Sequence, residues 1–288
     1  MAALAVAVAA VSTSAILVRW SRAPSLIKAF YRVLFMAALV APVALSRNRA
    51  ALRVLSRRDL AVAAATGAAL AVHFASWFAS VQRTSVAASV TLVQSQPLFV
   101  AVGAYLVLDE RIDRWVVAGI LLAVGGAAVM SLGDPGATVP VQGQALLGNA
   151  LAVLGAVMMA GYVLVGRSLR QRIPLFPYVT VVYAAAAVVL LLAVVGSGTP
   201  LVGYPPREYL LFLGMAVGPG IFGHTVVNWA LEHVESSVVS VTLLGEPVGS
   251  TLLAVALLSE VPSAATVAGG TVVLAGIYVT VRAREHWD

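Results

Sequence analysis

The sequence contains no cysteine. Disulfides, thiolate metal sites, iron–sulfur clusters and thiol catalysis are therefore excluded. Charge is also scarce. Only 10% of the 288 residues are Asp, Glu, Lys or Arg, against about a quarter in a soluble domain. Lysine is nearly absent, with Lys28 the only one among 18 basic residues. There is no His-Glu-x-x-His, no Gly-x-Ser-x-Gly and no phosphate-binding glycine loop. These absences argue against an enzyme and against a bound cofactor. A basic stretch ahead of the first apolar run is missing too, so no signal peptide is expected.

What is present is apolar surface. The chain is 61% hydrophobic, with a mean hydropathy of +0.97. So few charges cannot cover that much apolar surface in water, which implies an all-α integral membrane protein set in a lipid bilayer. The net charge of +6 does not suggest nucleic-acid binding, because the basic residues cluster between apolar spans. Taking roughly 20 apolar residues per span gives ten transmembrane helices, at 2–18, 26–45, 60–80, 85–106, 114–132, 146–166, 176–196, 208–231, 236–257 and 263–282. The first is at the short limit, as though a few leading residues were missing. Turn residues mark the breaks, including Pro24, Gly133 to Gly136, Pro200, Pro205-Pro206 and Pro262. Asp113 and Ser263 stand where N-caps of the fifth and tenth spans belong. With the N-terminus inside, twelve of the basic residues fall on the inner side and six on the outer. That bias predicts a multi-pass protein of the cell inner or plasma membrane with both termini cytoplasmic.

An internal repeat is visible. His73 to Leu92 aligns with His224 to Leu243 at an offset of 151, matching the histidine and a Ser-Val-Thr-Leu run. Further on the offset is 150, pairing Glu110 with Glu260 and Gly119 with Gly269. Ala3 to Val6 recurs at 150–153. The chain thus reads as two five-helix repeats, residues 1–136 and 137–288, forming one transport unit. Five is odd, so the second repeat must run through the membrane in the opposite sense. Inverted repeats around a midplane site belong to alternating-access transporters.

Ser236 to Thr251 is the most unusual stretch. It places Glu246 well inside an apolar run, where a carboxylate is costly and so a functional candidate. Pro247 follows it, and Gly245, Gly249, Ser250 and Thr251 surround it. Proline breaks the helical hydrogen-bond ladder, which predicts a bent helix with a narrow polar face.

These features together resemble a known family. Gln94-Ser-Gln-Pro97 leading to Leu108-Asp-Glu110, Leu244-Gly-Glu-Pro247 leading to Leu258-Ser-Glu260, and Phe30-Tyr-Arg32 are similar to the EamA-type transporters of the drug/metabolite transporter superfamily. The resemblance covers nearly the whole chain. It implies an inner-membrane carrier, often an exporter of amino acids and related metabolites, with a central cavity lined by helices of both repeats. The first helix has no acidic residue, unlike small four-helix multidrug relatives, so their proton-coupling mechanism does not carry over.

The candidate residues each have two readings. Glu246 is either a proton-coupling or amine-binding carboxylate, or a helix–helix hydrogen bond beside a kink. His73 and His224 occupy equivalent repeat positions, toward opposite membrane sides. Either could titrate near neutrality, or both could be interhelical hydrogen bonds; they do not make a metal site. Trp77 shares a helix face with His73, and Asn228 with His224. With Trp229 alongside, these are cavity candidates, or else packing residues. Gln94, with Gln96, Ser89, Thr91, Ser240 and Thr242, supplies neutral polar groups at the bends. Tyr162 and Asn149 join them from the sixth span. Pro97 and Pro247 are the expected hinges. Arg32 could hold a substrate carboxylate, but is read as reaching toward the outer interface or pairing with a helix end, and Glu110 and Glu260 are read as helix-end structure. Gly119 to Gly126 and Gly269 to Gly276 suggest close helix packing and a dimer face, leaving monomer or homodimer open. The expected function is a secondary transporter, an exporter of small-molecule substrates such as amino acids. Proton-coupled export of drugs or cations, facilitative uniport, and a non-transporting membrane accessory protein are the alternatives.

Overall fold

Apolar runs of helical length, bounded by proline, glycine or arginine, become helices. The computed structural model describes residues 2–81, 83, 89, 92–110, 112–132, 145–258 and 262–285. The helices are α1 (Ala2–Trp20), α2 (Ser25–Arg47), α3 (Arg49–Val54), α4 (Arg57–Val81), α5 (Gln96–Val107), α6 (Arg114–Leu132), α7 (Ala145–Arg170), α8 (Leu175–Gly196) and α9 (Pro206–Met215). A π-helical segment follows, Ala216–Thr225, then α10 (Val226–His233), α11 (Ser236–Thr242), α12 (Gly245–Leu258) and α13 (Ala264–Glu285). No strand occurs among the described residues. Pro24, Pro174 and Pro205 precede α2, α8 and α9 with extended backbone, so each sets where its helix begins. Asp113 caps α6 through the N–H groups of Trp115 and Val116, both at 2.8 Å. Ser263 caps α13 through Thr266 N–H at 3.1 Å.

Among the described residues, seven helical stretches are long and apolar enough to cross a membrane, and Ala2–Val18, Gln96–Val107 and Arg114–Val129 are shorter apolar helices. The chain is thus an all-helical, multi-pass membrane protein. The span expected at 85–106 lies partly outside the described residues, as do Thr91, Arg111, the 133–136 turn and Glu260.

The chain folds as two compact units that interleave along the sequence, each drawing from both halves. The first holds residues 1–75 and 161–233, the second 76–160 and 234–288. In the first unit α2 packs along α8, and α1 lies along the π-helical segment. The approach is close because glycines face the partners. A Cβ on Gly223 would stand 2.6 Å from Val11 Cγ1, and one on Gly220 2.6 Å from Met36 Cγ.

In the second unit α6 and α13 are the main pair. Their glycines meet in antiparallel order: Gly119 lies against Gly276 and Thr280, Gly126 against Gly269 and Val273. A Cβ on Gly276 would be 2.5 Å from Ala123 N and 2.6 Å from Gly119 O. Small residues let backbones approach, and dispersion then holds the helices where lipid offers no hydrophobic drive. The two glycine stretches thus make the close helix packing expected of them, and they make it against each other. Val116, Ile120, Ala123, Val241, Leu244 and Val273 complete the apolar core of this unit.

Candidate functional site

One group of buried polar residues of the first unit gathers around the end of the π-helical segment. Pro219 lies within that segment and has no N–H to continue an α ladder. The wider π turn brings His224 and Thr225 to its end. Such irregularities are frequent at functional sites. His224 is 8% exposed. The rings of Phe74 and Tyr162 stand edge-on to it, at 5.8 and 6.0 Å between centroids. One turn later, Asn228 is completely buried. Its Nδ2 donates to the Tyr162 hydroxyl at 2.5 Å and to the His224 carbonyl at 2.7 Å. Both amide hydrogens are thereby used, which orients the side chain and leaves Oδ1 as an acceptor. Among the described residues neither Asn228 Oδ1 nor His224 Nδ1 has a hydrogen-bond partner. Such orphaned buried groups cost roughly 1–3 kcal/mol each, so they mark a place where polarity is kept for a reason. Tyr183 and Thr225 close the cluster with a hydroxyl–hydroxyl bond of 3.0 Å.

Arg32 belongs to this cluster. It was expected to reach the outer interface, but it is only 4% exposed. Its Nη1 donates to Ser14 Oγ at 3.2 Å, and its guanidinium lies 4.9 Å from the Phe74 ring centre. Ser14 and Phe74 give it a hydrogen bond and a π face inside the unit, so the side chain turns inward. Arg32, His73 and His224 all stand against the Phe74 ring, at 4.9, 5.1 and 5.8 Å from its centre. The two histidines, expected toward opposite sides of the membrane, are therefore neighbours. His73 is itself buried, with its ring 5.1 Å from that of Phe74.

Of the other candidates, Trp229 faces outward. It is 42% exposed and packs on His233, with ring centres 4.5 Å apart. The second unit holds Trp77, Gln94, Pro97, Glu246, Pro247 and Asn149. Trp77 is half-buried and stacks on Phe78 at 5.2 Å. Gln94 is half-buried in the turn before α5, Glu246 is half-buried in the first turn of α12, and Asn149 is half-buried on α7. The expected bent helices are interrupted outright. The chain turns at Gln94-Ser95 before α5 and at Leu243-Leu244 between α11 and α12. Pro97 and Pro247 then sit in the first turn of the new helix. The cause is the same twice: a proline clashes with the carbonyl four residues back, at Val93 and at Leu243. Glu246 consequently stands at a helix N-terminus, where a carboxylate meets the positive end of the helix dipole.

Sequence reasoning missed the ends of α7 and α10. Arg170 is 2% exposed. Its Nε donates to the Asn228 carbonyl at 3.0 Å, and its Nη atoms reach the Ile173 carbonyl and the Glu232 carboxylate. Arg167 and Gln171 donate to the Leu231 carbonyl at 2.9 and 3.2 Å. The last turn of α7 thus supplies donors to the final carbonyls of α10, which have no helical partners of their own. The only available signal was three basic residues in one short stretch, and loop arginines look the same. Lys28 was missed similarly: it donates to the Val18 and Ser21 carbonyls at 3.1 and 3.0 Å, capping the end of α1.

The described residues contain no group of three or more His, Asp or Glu able to hold a metal. Comparison with known proteins gives a consistent picture. The profile of the EamA-like transporter family matches residues 1–132 and 146–282. Two proteins of Archaeoglobus fulgidus, each named an uncharacterized transporter, are similar. One is 32% identical over 203 residues, covering 67% of this chain and 67% of its own. The other is 24% identical over 229 residues, covering 79% and 76%. A crystal structure of 20% sequence identity superposes on 99% of this chain and 98% of its own with a TM-score of 0.84, a likeness of fold.

Proposed function

Since this chain belongs to the EamA-like transporter family, we propose that it is a secondary transporter exporting small metabolites such as amino acids by alternating access. In this reading ten spans form two inverted five-helix repeats, residues 1–136 and 137–288, with both termini on the cytoplasmic face of the cell membrane. The observation that carries it is the buried polar cluster of His224, Asn228, Tyr162 and Arg32 in an apolar, membrane-spanning chain. Polar groups at that depth are retained for cargo or ions. Asn228 Oδ1 and His224 Nδ1 are positioned to meet a donor and an acceptor of an amphipathic solute, and the Arg32 guanidinium suits a carboxylate. The turns before Pro97 and Pro247 support the exchange step, because a helix already broken can re-angle without losing its ladder. The protein acts as a monomer or a homodimer.

Proton-coupled export is the second reading, favoured by Glu246 at half exposure in the first turn of α12. One experiment separates the two. Purified protein in liposomes is loaded in turn with amino acids and cationic dyes, with and without a pH gradient. Amino-acid exchange that ignores the gradient and collapses in Asn228→Ala supports the first reading. Flux that follows the gradient and is lost in Glu246→Gln supports the second. If no solute of either class moves, both fail for these cargoes.

A further inference from the structure

The second unit carries a groove that the transport reading does not use. It lies between α5 and α6, has a volume of about 430 Å³, and is lined by Leu98, Val102 and Tyr105 of α5, Ile112 of the connection, and Val117 and Leu121 of α6. It opens to the outside: Val102, Tyr105 and Leu121 are each more than half exposed. Leu98 to Leu106 spans about 12 Å at 1.5 Å per residue. Apart from the Tyr105 hydroxyl every side chain that lines the groove is apolar, which suits a hydrocarbon chain, and Arg114 stands one turn before Val117 on the same face of α6, which suits the phosphate of a lipid. One end of the groove lies at the α5–α6 connection, where Asp109, Asp113 and Arg114 place a membrane–water boundary. There the exposed Arg114 guanidinium stands 5.5 Å from the exposed Trp115 ring, a pairing suited to the headgroup level.

We propose that this groove is a phospholipid-binding site, with one acyl chain lying between α5 and α6 and the lipid phosphate on Arg114. Among hydrocarbon tails the groove gains no hydrophobic drive. It gains dispersion contacts that a passing, disordered chain would not make as fully. The phosphate on Arg114 fixes the lipid end-on, so this one lipid exchanges more slowly than its neighbours.

The test reconstitutes the full chain in vesicles of phosphatidylglycerol and phosphatidylethanolamine, extracts it in mild detergent, and counts retained lipids by native mass spectrometry. The wild type should keep one phospholipid. Val102→Trp, which fills the groove, should keep about tenfold less. Leu121→Trp, on the facing helix, should do the same, so misfolding of one variant does not decide the result. Arg114→Gln should lower retention of phosphatidylglycerol while leaving the groove intact. Retention unchanged in both tryptophan variants would overturn the site. So would adducts consisting of detergent alone, or a dimer mass that the tryptophan variants abolish.

Discussion

Replacing Glu110 should loosen the second unit at one defined point. Glu110 is 7% exposed. Its Oε1 accepts from Ser236 N–H at 2.9 Å and Ser236 Oγ–H at 2.8 Å. Its Oε2 accepts from Ser237 Oγ–H at 2.8 Å and, at 3.4 Å, from Ser237 N–H. A carboxylate far away in sequence therefore caps α11, whose own N-cap residue makes no side-chain cap bond. Hydrogen bonds to a charged group contribute about 1.5–3 kcal/mol each, and four that share one carboxylate are far from additive. Two of the three short ones are hydroxyls that can turn to other acceptors. The loss in Glu110→Ala is therefore set at about 4 kcal/mol, a lost cap of about 1–2 plus one stranded donor pair. Glu110→Gln keeps one acceptor oxygen and should lose about half as much. Ser236→Ala alone should cost about 1 kcal/mol and couple to Glu110→Ala by a similar amount. Reversible unfolding in mixed micelles, followed by tryptophan fluorescence, measures all four. A Glu110→Ala variant within about 0.5 kcal/mol of wild type, with no coupling to Ser236, would refute the cap.

The α6–α13 contact predicts a sharp contrast between two glycines. Gly276→Leu should fail to fold or should lose several kcal/mol, since even a Cβ would meet the Ala123 and Gly119 backbones. Gly125→Ala, with nothing within 4 Å of its new Cβ, should be neutral or slightly stabilising in a thermal melt. Arg170→Met should cost about 3 kcal/mol in the same micelle assay, because it strips buried donors from the Asn228 and Ile173 carbonyls and from Glu232. Arg172→Gln, which removes a half-exposed partner of Asp59, should cost under about 1 kcal/mol. Pro247→Ala should leave stability within about 1 kcal/mol while slowing exchange in liposomes, because a restored N–H lets the helix run through Leu243.

Helix placement was legible because it follows apolar runs and punctuation. Asp113, Ser263, Pro24 and Pro205 did in the fold what their residue types predict. The glycine-rich stretches were also legible as close-packing surfaces, but their partner was not. Gly119 and Gly276 face each other only once α13 returns alongside α6, and residue identity does not encode which of two small faces will meet. The π-helical segment escaped notice for a different reason. Gly218-Pro219-Gly220 reads as a loop signal, yet it sits in a run long enough to span. The segment meets both demands by widening the turn instead of breaking the helix.

Burial separates the candidate site residues in a way that sequence position does not. Glu246 drew attention because it stands alone in an apolar run, and the cost of a charge at membrane depth was assigned by sequence position. Cost depends on surroundings, and the surroundings reverse the ranking. Glu246 is half-buried at a helix N-terminus, which favours a carboxylate, whereas Arg32, Arg170, His224 and Asn228 are each at least nine-tenths buried. Arg32 and Arg170 lie near the ends of their spans, where an arginine normally extends to water. Nothing in the sequence marks a Ser14 hydroxyl and a Phe74 ring as ready to receive one of them, or the Asn228 carbonyl and Glu232 carboxylate as ready to receive the other. Both arginines answer needs created by tertiary packing. Arg170 joins the Asn228 carbonyl, the Ile173 carbonyl and the Glu232 carboxylate, a structural role. Arg32 lies against the ring that also faces His224, so in the proposed transport reading the Arg32–His224–Asn228 cluster is the first place to test for cargo chemistry.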